Sequence, residues 1–370
     1  MQNKPLGLYL HVPFCARKCP YCDFYSVPPA GDTADLYGQA LARAMRPYRQ
    51  NGLAADTVYF GGGTPSLLGA DRLSALLGAV RDNFAVAPDA EITCEANPGR
   101  LEADFFPRLR QGGFNRISLG MQSADEMELH YLGRPHSRED TAAAVLAAQH
   151  AGFSNISVDL MLGVPTGSPE KLGRTANFIQ TLDVQHVSAY LLKIEEGTPF
   201  YAHRETLPLP DDDCMADLYA QAAEQLENAG FAQYEISNFA RPGFESRHNL
   251  KYWHCEEYLG FGPAAHSFFE SRRFYYSRSL ADFLAGKPPL PDGTGGDFEE
   301  FAMLNLRLRE GVTRAACRAR FSEGNSLFDR LRKNAAKCPP HLLRADENSV
   351  ALTADGFLVS NAVIGLLLEP

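Results

Sequence analysis

The sequence predicts an α/β fold in which six successive βα units supply a parallel sheet and a smaller helical module follows. Short apolar runs recur with starts roughly 25 to 50 residues apart, the room a crossover helix requires. Helical patterns of apolar residues fill the intervals between them. A content of 45% hydrophobic and 22% charged residues is that of a globular chain, which excludes disordered, collagen-like and coiled-coil classes. At 370 residues the chain is long for one domain and short for three, which suits one large domain with a smaller one attached.

Strands are expected near Leu8 to Val12, Thr57 to Phe60, Glu91 to Cys94, Arg116 to Leu119, Ser157 to Leu160 and His186 to Tyr190. Helices between them fit the apolar spacings of Leu36, Ala40, Leu41 and Ala44, of Leu73, Leu76, Leu77 and Val80, and of Val145, Ala148 and Gln149 before Gly152. Six such units build a closed barrel, an open barrel or a doubly wound sheet. The ends of the strands carry a cysteine cluster, Gly61-Gly62-Gly63-Thr64-Pro65, Glu95, Gln122, Asp159 (within its strand) and Lys193. In parallel α/β architectures the active site is built on that face, because the βα loops converge there.

From about Leu280 the character changes. Gly286 to Gly296 reads as a linker rich in Pro, Gly and Asp. Helices are expected at Phe298 to Arg309, Arg314 to Phe321 and Leu327 to Arg332, with a hairpin over Leu342 to Leu352 turning at Asp346-Glu347-Asn348. Three helices and a hairpin suggest a small winged-helix-like module, either a binding element or a cover for one end of the barrel. The division falls at 1–275 and 276–370.

A formal charge of −10 opposes broad attraction to phosphate backbones or anionic lipid, so nucleic acid is not an expected partner. The N-terminal stretch from Met1 to Val12 has one Lys and a short apolar run, unlike a signal peptide. Phe357 to Leu368 is interrupted by Ser360 and Asn361 and falls short of the roughly 20 residues a bilayer span needs. The expectation is a soluble, cytoplasmic protein with at most transient membrane association. In a reducing compartment, close thiols are metal ligands or redox groups rather than structural disulfides.

Three of the eight cysteines, Cys15, Cys19 and Cys22, fall in a Cys-x3-Cys-x2-Cys array; Cys94, Cys214, Cys255, Cys317 and Cys338 are scattered. Three thiolates on one loop suit a [4Fe–4S] cluster, with one iron left free of protein ligands. The alternatives are a zinc site completed by His11 or Asp23, or three unrelated cysteines.

The segment from Tyr9 to Phe24, with this array and an aromatic before its last cysteine, resembles the cluster loop of radical S-adenosylmethionine (AdoMet) proteins, specifically the branch of oxygen-independent coproporphyrinogen oxidase. The resemblance continues through Gly61 to Pro65, Asn115 to Gln122 and Asp159 to Pro165, and covers nearly the whole chain. It implies a partial (β/α)6 barrel with AdoMet across the carboxyl ends of the strands, chelating the open iron. A reduced cluster then splits AdoMet to methionine and a 5′-deoxyadenosyl radical. The implied roles are Cys15, Cys19 and Cys22 on the cluster; Tyr9 packing beside it; Tyr21 contributing mainly backbone; Gly62 and Gly63 letting the backbone approach the amino-acid part of AdoMet, with Thr64 adding a hydroxyl; and Glu95, Gln122, Arg134 and Asp159 bonding its ribose, amino and carboxylate groups.

Two departures separate the chain from the oxidase. The oxidase pattern places a fourth cysteine two positions after the third, where this chain has Phe24, and carries a substantial extension before the cluster, where this chain has 14 residues before Cys15. Both argue against oxidative decarboxylation of coproporphyrinogen. They match the related haem chaperones, as does Arg247-His248-Asn249-Leu250-Lys251-Tyr252-Trp253, similar to a His-Asn-x-x-Tyr-Trp motif of that group. This resemblance implies His248 as a haem contact. Arg241, Arg247 and Lys251 surround it in an otherwise acidic chain, a local basic group suited to pairing with haem propionates. The expected cofactors are a [4Fe–4S] cluster, AdoMet and haem. The expected partners are haem and haem-acceptor proteins such as respiratory enzymes or cytochromes, with a homodimer allowed. The competing function is oxygen-independent coproporphyrinogen III oxidase.

Overall fold

The computed structural model describes residues 5–99 and 101–369; Met1 to Lys4 of the N-terminal reading lie outside them. All six expected strands are present: β1 (Leu6–Val12), β2 (Ala54–Gly62), β3 (Ala85–Ala96), β4 (Arg116–Gln122), β5 (Ile156–Leu162) and β6 (His186–Leu191). They pair in that order and every neighbour is parallel. An order without reversal has no topological switch point, which sets the doubly wound alternative aside. The helices between them are α1 (Thr33–Met45), α2 (Gly69–Asn83), α3 (Phe105–Gln111), α4 (Glu126–Tyr131), α5 (Arg138–His150) and α6 (Pro169–Thr181).

Local signals start and stop these helices. Asp125 accepts from the backbone of Met127 and Glu128 at the start of α4, and Ser137 and Asp140 form a capping box on α5. Ser168 caps α6 ahead of Pro169. The buried stripe of α1 is Tyr37, Ala40, Leu41 and Met45, one step round from the expected one, and Leu36 faces solvent. Tyr37 displaces it because its ring packs on Phe14 and its hydroxyl donates to the His11 carbonyl.

The sheet runs past the six units to twelve strands and does not close. After β6 come α7 (Pro199–His203), α8 (Asp212–Asn228), β7 (Ala232–Glu235), β8 (Asn238–Ala240), α9 (Arg247–Trp253), β9 (Tyr258–Phe261), β10 (His266–Phe269), β11 (Arg272–Tyr275), α10 (Leu280–Leu284) and β12 (Leu290–Thr294). β8 lies antiparallel on β6, and β9 lies parallel on β1. The expected linker Gly286–Gly296 is thus corrected: it contains β12, paired to β11 across the 275/276 division. Pro291 and Gly293 misled, since both are tolerated on an edge strand. The C-terminal elements are α11 (Phe298–Asn305), β13 (Val312–Thr313), α12 (Arg314–Arg320), α13 (Gly324–Ala335), β14 (Leu343–Ala345), β15 (Ser349–Leu352), α14 (Ala354–Leu358) and α15 (Ser360–Leu367). The hairpin turns where expected, Asp346 Oδ1 accepting from the backbone of Asn348 and Ser349, and β13 makes it a three-stranded sheet. Among the described residues no helix is long and apolar enough to cross a membrane.

Strand residues alternate between two environments, as a period of two requires. Leu8, Leu10, Val58, Phe60, Ile92, Cys94, Ile117, Leu119, Val158, Leu160 and Val187 are buried in one continuous apolar core with the outer helices. The residues between them are polar and touch one another across strands: Tyr9 and Tyr59, Tyr59 and Glu95, Ser118 and Asp159, Ser157 and His186. The fold is therefore sealed outside the barrel and polar within it.

Candidate functional site

The cysteine loop leaves β1 and is held on several sides. Gly63 N donates to Val12 O and Thr64 N to Phe14 O, tying it to the loop after β2; Cys15 N donates to Val27 O. Pro20 packs on Gly133, Pro20 O accepts from Phe200 N, and Tyr21 packs on Phe200 of α7. Arg278 bonds Asp23, and Leu280 N donates to Tyr25 Oη.

Cys15, Cys19 and Cys22 are all free thiols of intermediate exposure. Burial, helped by the neighbouring thiols, pushes Cys22 up. No three His, Cys, Asp or Glu side chains among the described residues are drawn together as metal ligands. The zinc alternative also lacks its fourth ligand. His11 Nε2 donates to Tyr25 O at 2.9 Å, its Nδ1 accepts from Tyr9 Oη at 3.0 Å, and Asp23 is committed to Arg278. What the loop offers is three unpaired thiols and no fourth donor, the donor set of a cluster with one open iron.

Three of the expected AdoMet residues, Thr64, Arg134 and Gln122, gather around this loop and its partner. Thr64 Oγ1 lies 3.4 Å from Cys15 Sγ and accepts from Asn97 Nδ2 at 3.1 Å, which leaves its own proton for the sulfur. Asn97 Oδ1 accepts from Arg134 Nη1 at 2.9 Å, and Arg134 Nη2 donates to Tyr21 Oη at 2.9 Å. A continuous chain thus joins Tyr21, Arg134, Asn97, Thr64 and Cys15, and Arg134 Nε is enclosed without a partner among the described residues. Gln122 is buried at a register break of β4 with φ 67°, and its amide makes no hydrogen bond among the described residues. These unfilled donors are what a polar cofactor at the strand ends would meet.

Gly62 and Gly63 are required by the local packing. At Gly62, φ is +110° and a Cβ would lie 2.5 Å from the His11 ring; at Gly63 one would lie 2.6 Å from Phe14 O. Their small size seats the cysteine loop, and the space a side chain would take is filled by protein.

Inside the barrel, Glu95 Oε1 accepts from Tyr59 Oη at 2.8 Å and Oε2 from Gly62 N at 3.1 Å. Burial, with Asp159 nearby, pushes its carboxyl up to about 7. Asp159 accepts from Ser118 at 3.1 Å and is also raised by burial. Tyr190, at the carboxyl end of β6, is 41% exposed, so solvent reaches this mouth. Tyr9 packs on Tyr59 and bonds His11, one step inward from the cysteine loop. Lys193 stands apart, its side chain 80% exposed and paired with Glu195.

His248, the expected haem contact, is packed inside the protein. It lies on α9 at 1% exposure and on the amino-terminal side of the barrel, beside Gly7 and Thr57. Its Nδ1 bonds Thr57 Oγ1 at 2.8 Å, its Nε2 bonds Tyr252 Oη at 2.8 Å, and its ring stacks on Tyr59. Burial holds its pKa at about 3, so the ring is neutral and has no free nitrogen for a haem iron. The basic group around it is committed as well: Lys251 to Asp56 and Pro5 O, Arg247 to Asp89 O, and Arg241 to Val184 O. Glu91 accepts from the backbone of Arg247 and His248, fixing the start of α9.

The Radical SAM superfamily model matches residues 9–179. The Heme chaperone HemW of Mycobacterium tuberculosis strain H37Rv is 39% identical over 384 residues, covering 100% of this chain and 96% of that protein. The chain belongs to the HemW family. Heme chaperone HemW of Escherichia coli K12 is 43% identical over 267 residues, covering 71% of this chain and 70% of that protein. Among solved structures, the E. coli coproporphyrinogen III oxidase, described as a radical SAM enzyme, superposes with a TM-score of 0.84 at 23% identity, covering 99% of this chain and 90% of that one. That likeness shows the fold. For the HemW family, as radical SAM proteins, the cofactors implied are a [4Fe–4S] cluster and AdoMet, and the three thiols and unfilled donors above fit both.

Asn97 and Tyr59 are the residues that reasoning from strand ends missed as parts of this site. Their signal was alternation: Thr57 and Tyr59, Thr93 and Glu95, and Arg116 and Ser118 place polar groups at every second strand position.

Proposed function

We propose that this chain is a haem chaperone: it holds a [4Fe–4S] cluster on Cys15, Cys19 and Cys22, binds AdoMet at the carboxyl ends of the strands, binds haem and passes it to acceptor proteins. The observation that carries this reading is the match along essentially the whole length to a relative named Heme chaperone HemW. Phe24 supports it, standing 68% exposed where the oxidase pattern has a cysteine. In this reading Thr64, Arg134 and Gln122 orient AdoMet, while Glu95 and Asp159 accept from its hydroxyl and amino groups. The cluster and AdoMet together supply one-electron chemistry when bound. The acceptors are respiratory enzymes or cytochromes, and the protein works in the cytoplasm, as a homodimer or alone.

Haem is proposed to reach the mouth beside the cysteine loop rather than His248 in its packed position. The test is a spectroscopic haem titration of cluster-reconstituted protein, with an anaerobic coproporphyrinogen assay in parallel. Saturable haem binding without coproporphyrinogen consumption is the expected result. Consumption of coproporphyrinogen with 5′-deoxyadenosine formed would assign the oxidase function instead.

A further inference from the structure

The barrel encloses a cation for which the cofactor contacts above have no use. Arg116 opens β4 at 2% exposure, and its partner across the β3–β4 pair is Thr93, which is fully buried. Among the described residues neither Arg116 Nε nor Thr93 Oγ1 has a hydrogen-bond partner. A guanidinium cannot shed its proton, so its burial needs an opposite charge.

Among the described residues no acid makes an ion pair with Arg116, and two buried acids share the inner face of the sheet with it. Glu95 pairs in register with Ser118, two residues on from Arg116 along the same face of β4, and Ser118 Oγ donates to Asp159. The charge of Arg116 acts on both carboxyls, and it opposes the rise that burial and mutual repulsion impose on Glu95. The other charged or titratable groups facing this pair are Tyr9, Tyr59, Tyr252 and Cys94, each kept protonated by burial, the part-exposed Tyr190, and Arg134. Arg134 is already engaged with Asn97 and Tyr21, and Lys251 with Asp56 at the amino end.

We propose that Arg116 is a positioning residue, the buried counter-charge that holds the Glu95 and Asp159 carboxylates together inside the barrel as a paired acceptor set for the hydroxyl and amino groups of AdoMet. The inference rests on the AdoMet reading above. It predicts that removing the charge moves the pH dependence of AdoMet binding to higher pH, because Glu95, which already titrates near 7 beside Arg116, then keeps its proton to higher pH.

The experiment is equilibrium binding of AdoMet to the anaerobic, cluster-reconstituted full chain between about pH 6 and about pH 9. The parent, Arg116→Met and Arg116→Lys are compared, and infrared spectra of each protein without AdoMet report carboxyl protonation. Arg116→Met should bind about fivefold more weakly near pH 7, the effect of roughly one pKa unit on an acceptor that is half ionised there in the parent. It should recover most of that affinity near pH 9 and show a protonated-carboxyl band persisting to higher pH. Arg116→Lys should stay within about threefold of the parent throughout. A loss equal at every pH, or no loss, with an unmoved carboxyl band would overturn the proposal. A parent that does not bind AdoMet would sink the underlying reading, while the carboxyl band would still judge the role of Arg116. Should Arg116→Met not fold, Arg116→Met with Glu95→Gln removes one of the repelling acids; the double variant must then fold, and its failure to do so would overturn the proposal.

Discussion

Replacing His248 by Ala tests whether this residue holds the barrel together or waits for haem. The substitution removes two hydrogen bonds of 2.8 Å, to Thr57 Oγ1 and Tyr252 Oη, and a ring stacked on Tyr59 with centroids 5.2 Å apart. Each hydrogen bond contributes about 1 kcal/mol net, and leaving the fully buried Thr57 hydroxyl unpaired costs about 1–3 kcal/mol more. Truncating a buried ring to Ala costs about 3–5 kcal/mol in large aromatic cases, and the smaller imidazole falls at the low end. Together these give about 6–8 kcal/mol, a large share of the 5–15 kcal/mol that typically stabilises a domain. Urea denaturation of parent and variant, followed by the fluorescence of Trp253, the sole Trp and part of the same helix, measures it directly. A variant within about 1 kcal/mol of the parent would refute the packing argument and return His248 to the candidates for haem. Loss of haem binding in a variant that is also severely destabilised follows from unfolding. The softer His248→Gln, which keeps one polar partner, should retain haem binding.

Three other outcomes follow from the same geometry. Gly62→Ala places a Cβ 2.5 Å from the His11 ring at φ +110°, so it should cost at least about 2 kcal/mol and lower the iron content after reconstitution; full iron loading would contradict the seating role of that glycine. Thr64→Val removes a donor to Cys15 and an acceptor for Asn97, so it should cost about 1–2 kcal/mol and weaken AdoMet binding while iron is retained, checked by denaturation and AdoMet titration. Glu95, raised from 4.5 to about 7, keeps in the folded state a proton the unfolded chain has released. The stability this carries is complete below about pH 4.5 and lost as pH rises through about 7, at most about 3 kcal/mol, so the stability of the parent relative to Glu95→Gln should fall between about pH 5 and pH 8. A difference that stays flat across that range would contradict the burial assigned to Glu95.

The parts of the fold that the sequence made legible are those with repeated local signals. Each of β1 to β6 is a short apolar run followed by an amphipathic helix, and each was placed within a few residues. The strands β7 to β12 were not, for two reasons. They are three to five residues long, too short for a period to show. The partner of β9 is also β1, some 250 residues away, and only tertiary pairing determines that. The cysteine loop was legible because three thiols within eight positions form a ligand set by spacing alone, before any tertiary contact is known. The packing of His248 was not legible because a motif carries no burial: Arg247 to Trp253 reads the same whether its imidazole faces solvent or is clasped between Thr57 and Tyr252. Asn97 and Arg116 were overlooked because attention to strand ends passes over polar residues just beyond one strand and at the start of another.

Titrating haem into the cluster-reconstituted full chain, anaerobically and with AdoMet present, tests the haem-chaperone reading most directly. A saturable spectral change, followed by loss of that haem signal to an added apo-cytochrome and with coproporphyrinogen left intact in the parallel reaction, is the predicted result. Failure to bind haem above the level of a chain lacking Cys15, Cys19 and Cys22, together with consumption of coproporphyrinogen, would contradict it.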